Sequence, residues 1–372
     1  MELMRKSLRD LVADCNNAHA GLLLQRGLTV WEDGEKNAKQ KLLQKVAGVS
    51  PSDLYKMAFK RWARVTADEE RFAHVCATID SRLYIGLNSA GALETGISTQ
   101  HSYGMPMLPG SSIKGAVRHY AEQIGLPDNI RHVLFGEEGK AGEDGKAGAL
   151  VWHDGWFIPN SPLAKPFVLE VVTVHHQQYY SGSQSEADEM ESPIPNQQIA
   201  AQGSFYFVVE APQGAKDWAE FAVNLLSDML QQQGMGAKTA SGYGYFADGE
   251  HGDEMAQRYV RDIREEQANK LKQAAEQARL SALPEHEQWM ETWRGQIFGA
   301  IKYGINNQEH SDLYHRFKAA LTAAAEADWD AQAKKEIAET FSARKLQTAQ
   351  GNWINDKRRK ELSPLLAKLR GE

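Results

Sequence analysis

At 372 residues, 42% hydrophobic and 24% charged, the chain has the composition of an ordinary globular protein with room for more than one core. No apolar run reaches the roughly 20 residues needed to cross a bilayer, and the charged N-terminus lacks a signal peptide's apolar stretch, so a cytoplasmic protein without membrane contact is expected. The net charge of −7 excludes a broadly basic nucleic-acid face; any phosphate contact must be a local basic strip.

Residues 1–73 read as an N-terminal helical segment. Leu8, Leu11 and Val12, then Tyr55, Phe59 and Trp62, recur at helical spacing, and Ser50-Pro51-Ser52-Asp53 is a helix start. From 74 to 249 the pattern changes. Val75, Ala77, Ile79, Leu83, Ile85 and Leu87 alternate with period two, as a half-buried strand does. After the polar stretch Asn88–Gly110, Ser111 and Ser112 are placed to cap a helix with Ile113, Ala116, Val117, Tyr120 and Ile124 on its apolar face. Strands are expected at Ala149–Ile158, Phe167–Val174 and Ser204–Val209. A second amphipathic helix carries Trp218, Phe221, Ala222, Leu225, Leu226 and Met229 and stops at Gly234, before a last strand at Tyr243–Ala247. The order predicts an α+β, ferredoxin-like (RRM-like) βαββαβ unit, with the polar run 177–202 as an inserted loop. Residues 250–372 hold 20 basic and 20 acidic residues. They read as an all-helical extension broken at Pro284 and Gly304–Asn307, with Trp289, Trp293, Phe298, Phe317 and Trp353 as anchors.

The most informative stretch is Gly234–Tyr245, with glycines at 234, 236, 242 and 244. Such a run lets the backbone take positive φ and turn amides toward an anion, and Lys238, Thr239 and Ser241 add charge and hydroxyls suited to phosphate. It is no Walker A loop: alanine precedes the lysine, and the order is helix to strand. A tight turn whose glycines serve packing alone is the competing reading, and the residues leave the two open. The second stretch, Met107–Arg118, offers a helix N-terminus with Ser111 and Ser112, and Lys114 and Arg118 four residues apart on one face. Tyr179 and Tyr180 are candidates for stacking on unpaired bases. His175 and His176, as neighbours on a strand, point to opposite faces and do not converge on a metal. Asp154 reads as a strand-end turn residue, and Lys357–Lys360 as a solvated helix face. Cys15 and Cys76 share no metal-ligand spacing, and no cofactor or metal motif is present.

Leu108-Pro109-Gly110-Ser111-Ser112-Ile113-Lys114-Gly115, then Leu134-Phe135-Gly136 leading to Ala149–Asp154, then Gly234–Phe246 resemble three ordered motifs of the RAMP superfamily of CRISPR-associated proteins. Within it, Asn17–Leu24, Thr173–Tyr180 and Gly236–Gly244 are most similar to the subunit type that caps the backbone of type III-B (Cmr) effector complexes, although Val174 stands where proline is usual. The resemblance covers about 70–249. It implies a RAMP domain binding crRNA and single-stranded target RNA beside other RAMP and small helical subunits, with Gly236, Gly242 and Tyr243 joining the hydroxyls, lysines, histidines and tyrosines above as RNA contacts. Related subunits cut RNA with an aspartate in the loop before the PGSS helix; 88–110 contains none, and offers only Glu94 and His101. The expectation is therefore a non-catalytic RNA-binding subunit. The alternatives are a metal-independent endoribonuclease using His101 or His119, and a protein scaffold.

Overall fold

The structure is a computed structural model that describes residues 2–5, 8, 18–31, 36–87, 93–139, 144–160, 165–174, 176–190, 192, 194–247, 252–299, 307–348 and 354–372. The expected contacts of Leu11, Val12, His175, Trp353 and the Gly304 break lie outside these residues. The chain divides into two compact units, Met1–Ala268 and Asn269–Glu372.

The first unit opens with α1 (Ala20–Arg26), α2 (Lys36–Gly48) and α3 (Asp53–Val65). Ser52 caps α3 by accepting from the Tyr55 amide at 3.2 Å, and Tyr55 and Phe59 are fully buried beneath it. Then β1 (Phe72–Ile79) enters the sheet, followed by β2 (Met107–Leu108), α4 (Gly110–Gln123), α5 (Asp128–Phe135) and the small ribbon β3 (Gly136–Glu137) with β4 (Lys146–Ala147). The strands β5 (Val151–Trp152), β6 (Gly155–Phe157) and β9 (Ser204–Glu210), the helix α7 (Lys216–Gln232) and β10 (Phe246–Ala247) complete the domain. The sheet runs β10-β1-β9-β6-β2, entirely antiparallel, with β5 also on β9. Counting β6 as the second strand, this is the 4-1-3-2 order of a βαββαβ unit, with α4 and α7 as its two helices.

Period-two alternation decides the two faces of this sheet. Ala73, Ala77 and Ile79 of β1, with Phe205, Phe207 and Val209 of β9, face the core that α4 and α7 cover through Ile113, Val117, Ala222 and Leu226. Phe72, Tyr206 and Val208 face the other way. Phe59 and Ala63 of α3 cover them, together with Ala256, Val260 and Ile263 of α8 (Glu254–Ala282). Both faces of the sheet are thus buried, and Arg264, only 6% exposed, bonds the Thr66 carbonyl and the Tyr206 hydroxyl there.

Between β6 and β9 stands a separate hairpin, β7 (Phe167–Val174) and β8 (Ile194–Ala201), joined across the short helix α6 (Gln177–Tyr180). The stretch 194–201, expected within an inserted loop, is a strand in register with 167–174, because the run Ile194–Ala201 pairs residue for residue with β7. Its base is fastened by Gln198 to the Glu94 carbonyl at 3.0 Å and by the Ile199 amide to Thr95 Oγ1 at 3.2 Å. Its tip is open to solvent, with Tyr180 77% and Met190 88% exposed.

The second unit is helical: the end of α8, α9 (Glu285–Arg294), α10 (Asn307–Glu326), α11 (Ala331–Thr340), α12 (Ala343–Thr348) and α13 (Asp356–Arg370). Trp293, Phe317, Leu321, Phe341 and Leu366 form its core, while Phe298 is 40% exposed. The basic run 357–360 is partly engaged within the unit: Arg358 lies over the Tyr314 ring at 4.7 Å and Arg359 pairs with Asp356 at 3.3 Å. Among the described residues, no helix is long and apolar enough to cross a membrane.

Candidate nucleic-acid interface

The glycine stretch leaves α7 through Gly234, whose amide donates back to the Met229 carbonyl at 3.0 Å with φ at +68°. It is then strapped to the chain just after β1. The Ala237 amide donates to Tyr84 O at 2.9 Å, the Gly244 amide to Arg82 O at 2.8 Å, and Ser81 Oγ to Gly242 O at 2.9 Å. Two of the glycines are needed for this strapping and not for approach to a ligand. A Cβ on Gly236 would stand 2.4 Å from Tyr84 O, and one on Gly244 2.0 Å from Met235 O. Gly242 is different: its φ is +85°, yet the space beside it is open. At the apex Lys238 is exposed and holds a left-handed backbone (φ +64°, ψ +31°), uncommon for a residue with a side chain. It opens a 3-10 turn, Thr239–Ser241. Among the described residues, the amides of Lys238, Thr239 and Ala240 have no backbone acceptor.

Beside this loop lies α4, and a groove of about 590 Å³ separates them. Ser112, Ala116 and His119, a row of one helix face, form one wall; Gly234, Gly236 and Thr239 belong to the other, and Tyr84, Leu108 and Met235 also line the space. The two informative stretches therefore converge. They do so with a different face of α4 from the one expected. Ile113, Val117 and Tyr120 point into the core, which turns Lys114 and Arg118 away from the groove. Neither lines it, and Arg118 pairs with Glu122 at 3.3 Å and Glu138 at 3.2 Å.

The helix N-terminus also departs from expectation. Ser111 and Ser112 are exposed residues of the first turn and make no capping bond; Pro109 is the N-cap. The Gly110 amide instead donates to Asp154 Oδ1 at 2.7 Å, from the turn between β5 and β6. A carboxylate thus already occupies the positive end of the helix, where a phosphate was expected. Ile124, expected on the apolar face, is the C-cap residue and is half exposed.

Sequence reading missed Tyr84 and Gln233 at this groove, and named His119 only for the endoribonuclease alternative. Gln233 donates to Gln123 Oε1, and the Gln123 amide donates to His119 Nε2 at 3.0 Å, linking the end of α7 to α4. The recurrence of Ser112, Ala116 and His119 at i, i+4 and i+7 was the available signal. Tyr84 is 1% exposed, packs on Tyr243 at 5.0 Å between ring centroids, and its hydroxyl has no hydrogen-bond partner among the described residues. Burial, with Tyr243 and Glu170 nearby, holds that phenol well above its ordinary pKa, so it stays protonated.

The remaining site residues lie elsewhere. Tyr179 and Tyr180 sit at the hairpin tip, their rings edge to face at 5.4 Å. His176 is not in a strand; its φ is +55°, and its Nδ1 lies 3.0 Å from the Asp188 carbonyl. Neither Glu94 nor His101 lines the groove. The His101 carbonyl accepts from His19 Nε2 at 2.8 Å, and the His19 Nδ1 caps α1 by accepting from the Leu22 amide at 3.1 Å.

Residues 77–247 match the family model of the RAMP superfamily. The chain is 25% identical over 218 residues to the CRISPR system Cmr subunit Cmr6 of Pyrococcus furiosus, covering 44% of this chain and 64% of that one. It is 30% identical over 172 residues to the CRISPR system CMR subunit Cmr6 of Saccharolobus solfataricus, covering 45% and 55%. The chain thus spans less than two thirds of the length of either relative. Among solved structures, it is similar to the crystal structure of Cmr6 from Pyrococcus furiosus (24% identity, 48% of this chain and 98% of that one, TM-score 0.30). It is also similar to a chain in the cryo-EM structure of the Type III-B Cmr-beta bound to cognate target RNA (19% identity, 61% and 80%, TM-score 0.45).

Proposed function

We propose, from the premise that residues 77–247 are a RAMP-superfamily domain, that this chain is a non-catalytic RNA-binding subunit of a type III-B CRISPR effector complex in the cytoplasm. Its ligands are crRNA and single-stranded target RNA, and its partners are further RAMP and small helical subunits. The names of the two curated relatives support the assembly. The observation that carries RNA binding is the meeting of the loop bearing Lys238 with α4 across one groove. Lys238, Thr239 and Ser241, with the open amides of the 3-10 turn, are the phosphate contacts at its rim, and Gly242 gives the turn its left-handed exit. Lys114, Ser111 and Arg118 lie on the far side of α4 and serve as a separate strip. Tyr179, Tyr180 and His176 at the hairpin tip are a third contact.

Burial of both sheet faces supports recognition at the groove and hairpin in place of stacking on an open sheet. The absence of catalysis is supported by the groove's chemistry. The stretch 88–110 carries no aspartate, and its two candidates, Glu94 and His101, do not line the groove. Fluorescence anisotropy of single-stranded RNA with purified full chain tests the proposal. Lys238→Ala lowers affinity and reduces the salt slope by about one phosphate, about 0.7 in log–log units. An unchanged slope removes Lys238 from the interface. RNA cleavage in EDTA that is lost on His119→Ala establishes the endoribonuclease alternative instead.

A further inference from the structure

Among the described residues, the groove between α4 and the glycine loop is lined by no carboxylate, lysine or arginine. Its fourteen lining residues include no Asp, Glu, Lys or Arg. A phosphate seated inside it would leave water for a wall of Ile85, Leu87, Leu108 and Met235 without a counter-charge, which is unfavourable for any ion. The lysine lies outside: Lys238 is exposed between two lining residues, Ala237 and Thr239. An apolar interior, a polar rim and a cation next to the rim match a flat, uncharged group attached to a phosphate.

We propose that the groove seats one unpaired nucleobase of the bound RNA while Lys238 holds an adjoining phosphate. This rests on the RNA-binding reading above and adds that the subunit grips a base at this place, and not backbone alone. The volume, about 590 Å³, lies in the roughly 300–1,000 Å³ range of small-ligand clefts. The apolar residues and Tyr84 supply contact for the base, and His119 and Gln233 supply the hydrogen bonds to its edge. The Gln123 side chain at 3.0 Å orients the exposed His119 ring beside the groove.

The test uses three variants of the full chain and two single-stranded probes: oligouridine, and an abasic ribose-phosphate oligomer of equal length. Ala116→Phe fills the groove from the α4 wall; His119→Ala removes a rim donor on an exposed face and leaves the core intact; Lys238→Ala removes the cation. The expected result is that Ala116→Phe and His119→Ala each weaken oligouridine binding about tenfold, the size of one stacked or edge-bonded base, and leave the abasic oligomer unaffected. Lys238→Ala weakens both probes. If Ala116→Phe does not fold, photo-crosslinking of 4-thiouridine RNA to the wild-type chain decides the matter: adducts on peptides spanning 112–123 or 233–239 support the seat, and adducts confined to the hairpin overturn it. Two negative results are distinct. Wild-type oligouridine binding by Ala116→Phe and His119→Ala, with loss in Lys238→Ala, overturns the base seat and leaves RNA binding standing. Wild-type binding by all three overturns the RNA reading of the groove as well.

Discussion

Asp154 accepts a hydrogen bond from the Gly110 amide at 2.7 Å, so the carboxylate that caps α4 comes from a turn between two strands 44 residues further along the chain. The bond joins the turn between β5 and β6 to the start of the helix that lines the groove. Its effect is structural: it satisfies an amide at the helix start and places a negative charge against the positive end of the dipole.

Asp154→Ala is therefore expected to destabilise the protein by about 1–2 kcal/mol in urea denaturation, the usual range for a lost cap. Asp154→Asn, which keeps an acceptor oxygen, should cost less than half of that. Equal losses in both variants would show that charge, and not the hydrogen bond, dominates at this position.

The glycines of the loop separate into two classes that alanine scanning can distinguish. Gly236→Ala places a Cβ 2.4 Å from the Tyr84 carbonyl at a φ of +97°, and should cost about 3 kcal/mol from clash and strain together. Gly242→Ala meets open space, so only the left-handed backbone is penalised, by about 1–2 kcal/mol. Thermal melts of the two variants measure the difference; a Gly242→Ala protein the less stable of the pair contradicts the strapping described above.

His74 lies on the sheet face that α3 and α8 cover, 5.5 Å from the Tyr206 ring and near Arg264 and Cys76. Burial, then the Arg264 charge, push its pKa down to about 3, so it is neutral in the fold. The folded pKa lies below the unfolded one, and the unfolded chain takes up the proton first as pH falls. Stability contributed by neutral His74 is thus complete above about pH 6.5 and declines between there and about pH 3. Denaturation midpoints from pH 7 to 4 should fall less steeply in His74→Gln than in the wild type, and parallel curves would refute the assignment. Burial similarly pushes the neighbouring Cys76 thiol up to about 12, so alkylation of Cys76 in the folded chain should be slow.

Arg264 joins α8 to both the end of α3, through the Thr66 carbonyl, and β9, through the Tyr206 hydroxyl. Arg264→Ala takes this donor from the buried Thr66 carbonyl, while the Tyr206 hydroxyl keeps Thr66 Oγ1 at 2.7 Å, and should cost about 1–3 kcal/mol. Arg264→Met retains the packing and should recover part of that loss. Hydrogen exchange offers a local readout: amides of 254–264 should lose protection in both variants ahead of those in β1 and β9.

Local pattern in the sequence determined the element types of β1, α4, β9 and α7 and the location of the two informative stretches. Alternation at 75–79 gave β1 its faces, the row of Ile113, Val117 and Tyr120 gave α4 its buried side, and the glycines at 234–244 announced a backbone that takes positive φ. The helical character of the second unit was equally legible, because amphipathic spacing is a short-range property of the chain. Tertiary structure alone decided what the outer faces meet. That α8 closes the second face of the sheet, that Asp154 reaches Gly110, and that 194–201 pairs with 167–174 all depend on partners distant in sequence, whose packing no local periodicity encodes. The groove is the sharpest case. Sequence placed a lysine and two serines on α4, but the strap from Tyr84 to Ala237 brings the glycine loop down beside Ser112, Ala116 and His119, and burial of the adjacent row Ile113, Val117 and Tyr120 fixes that phase.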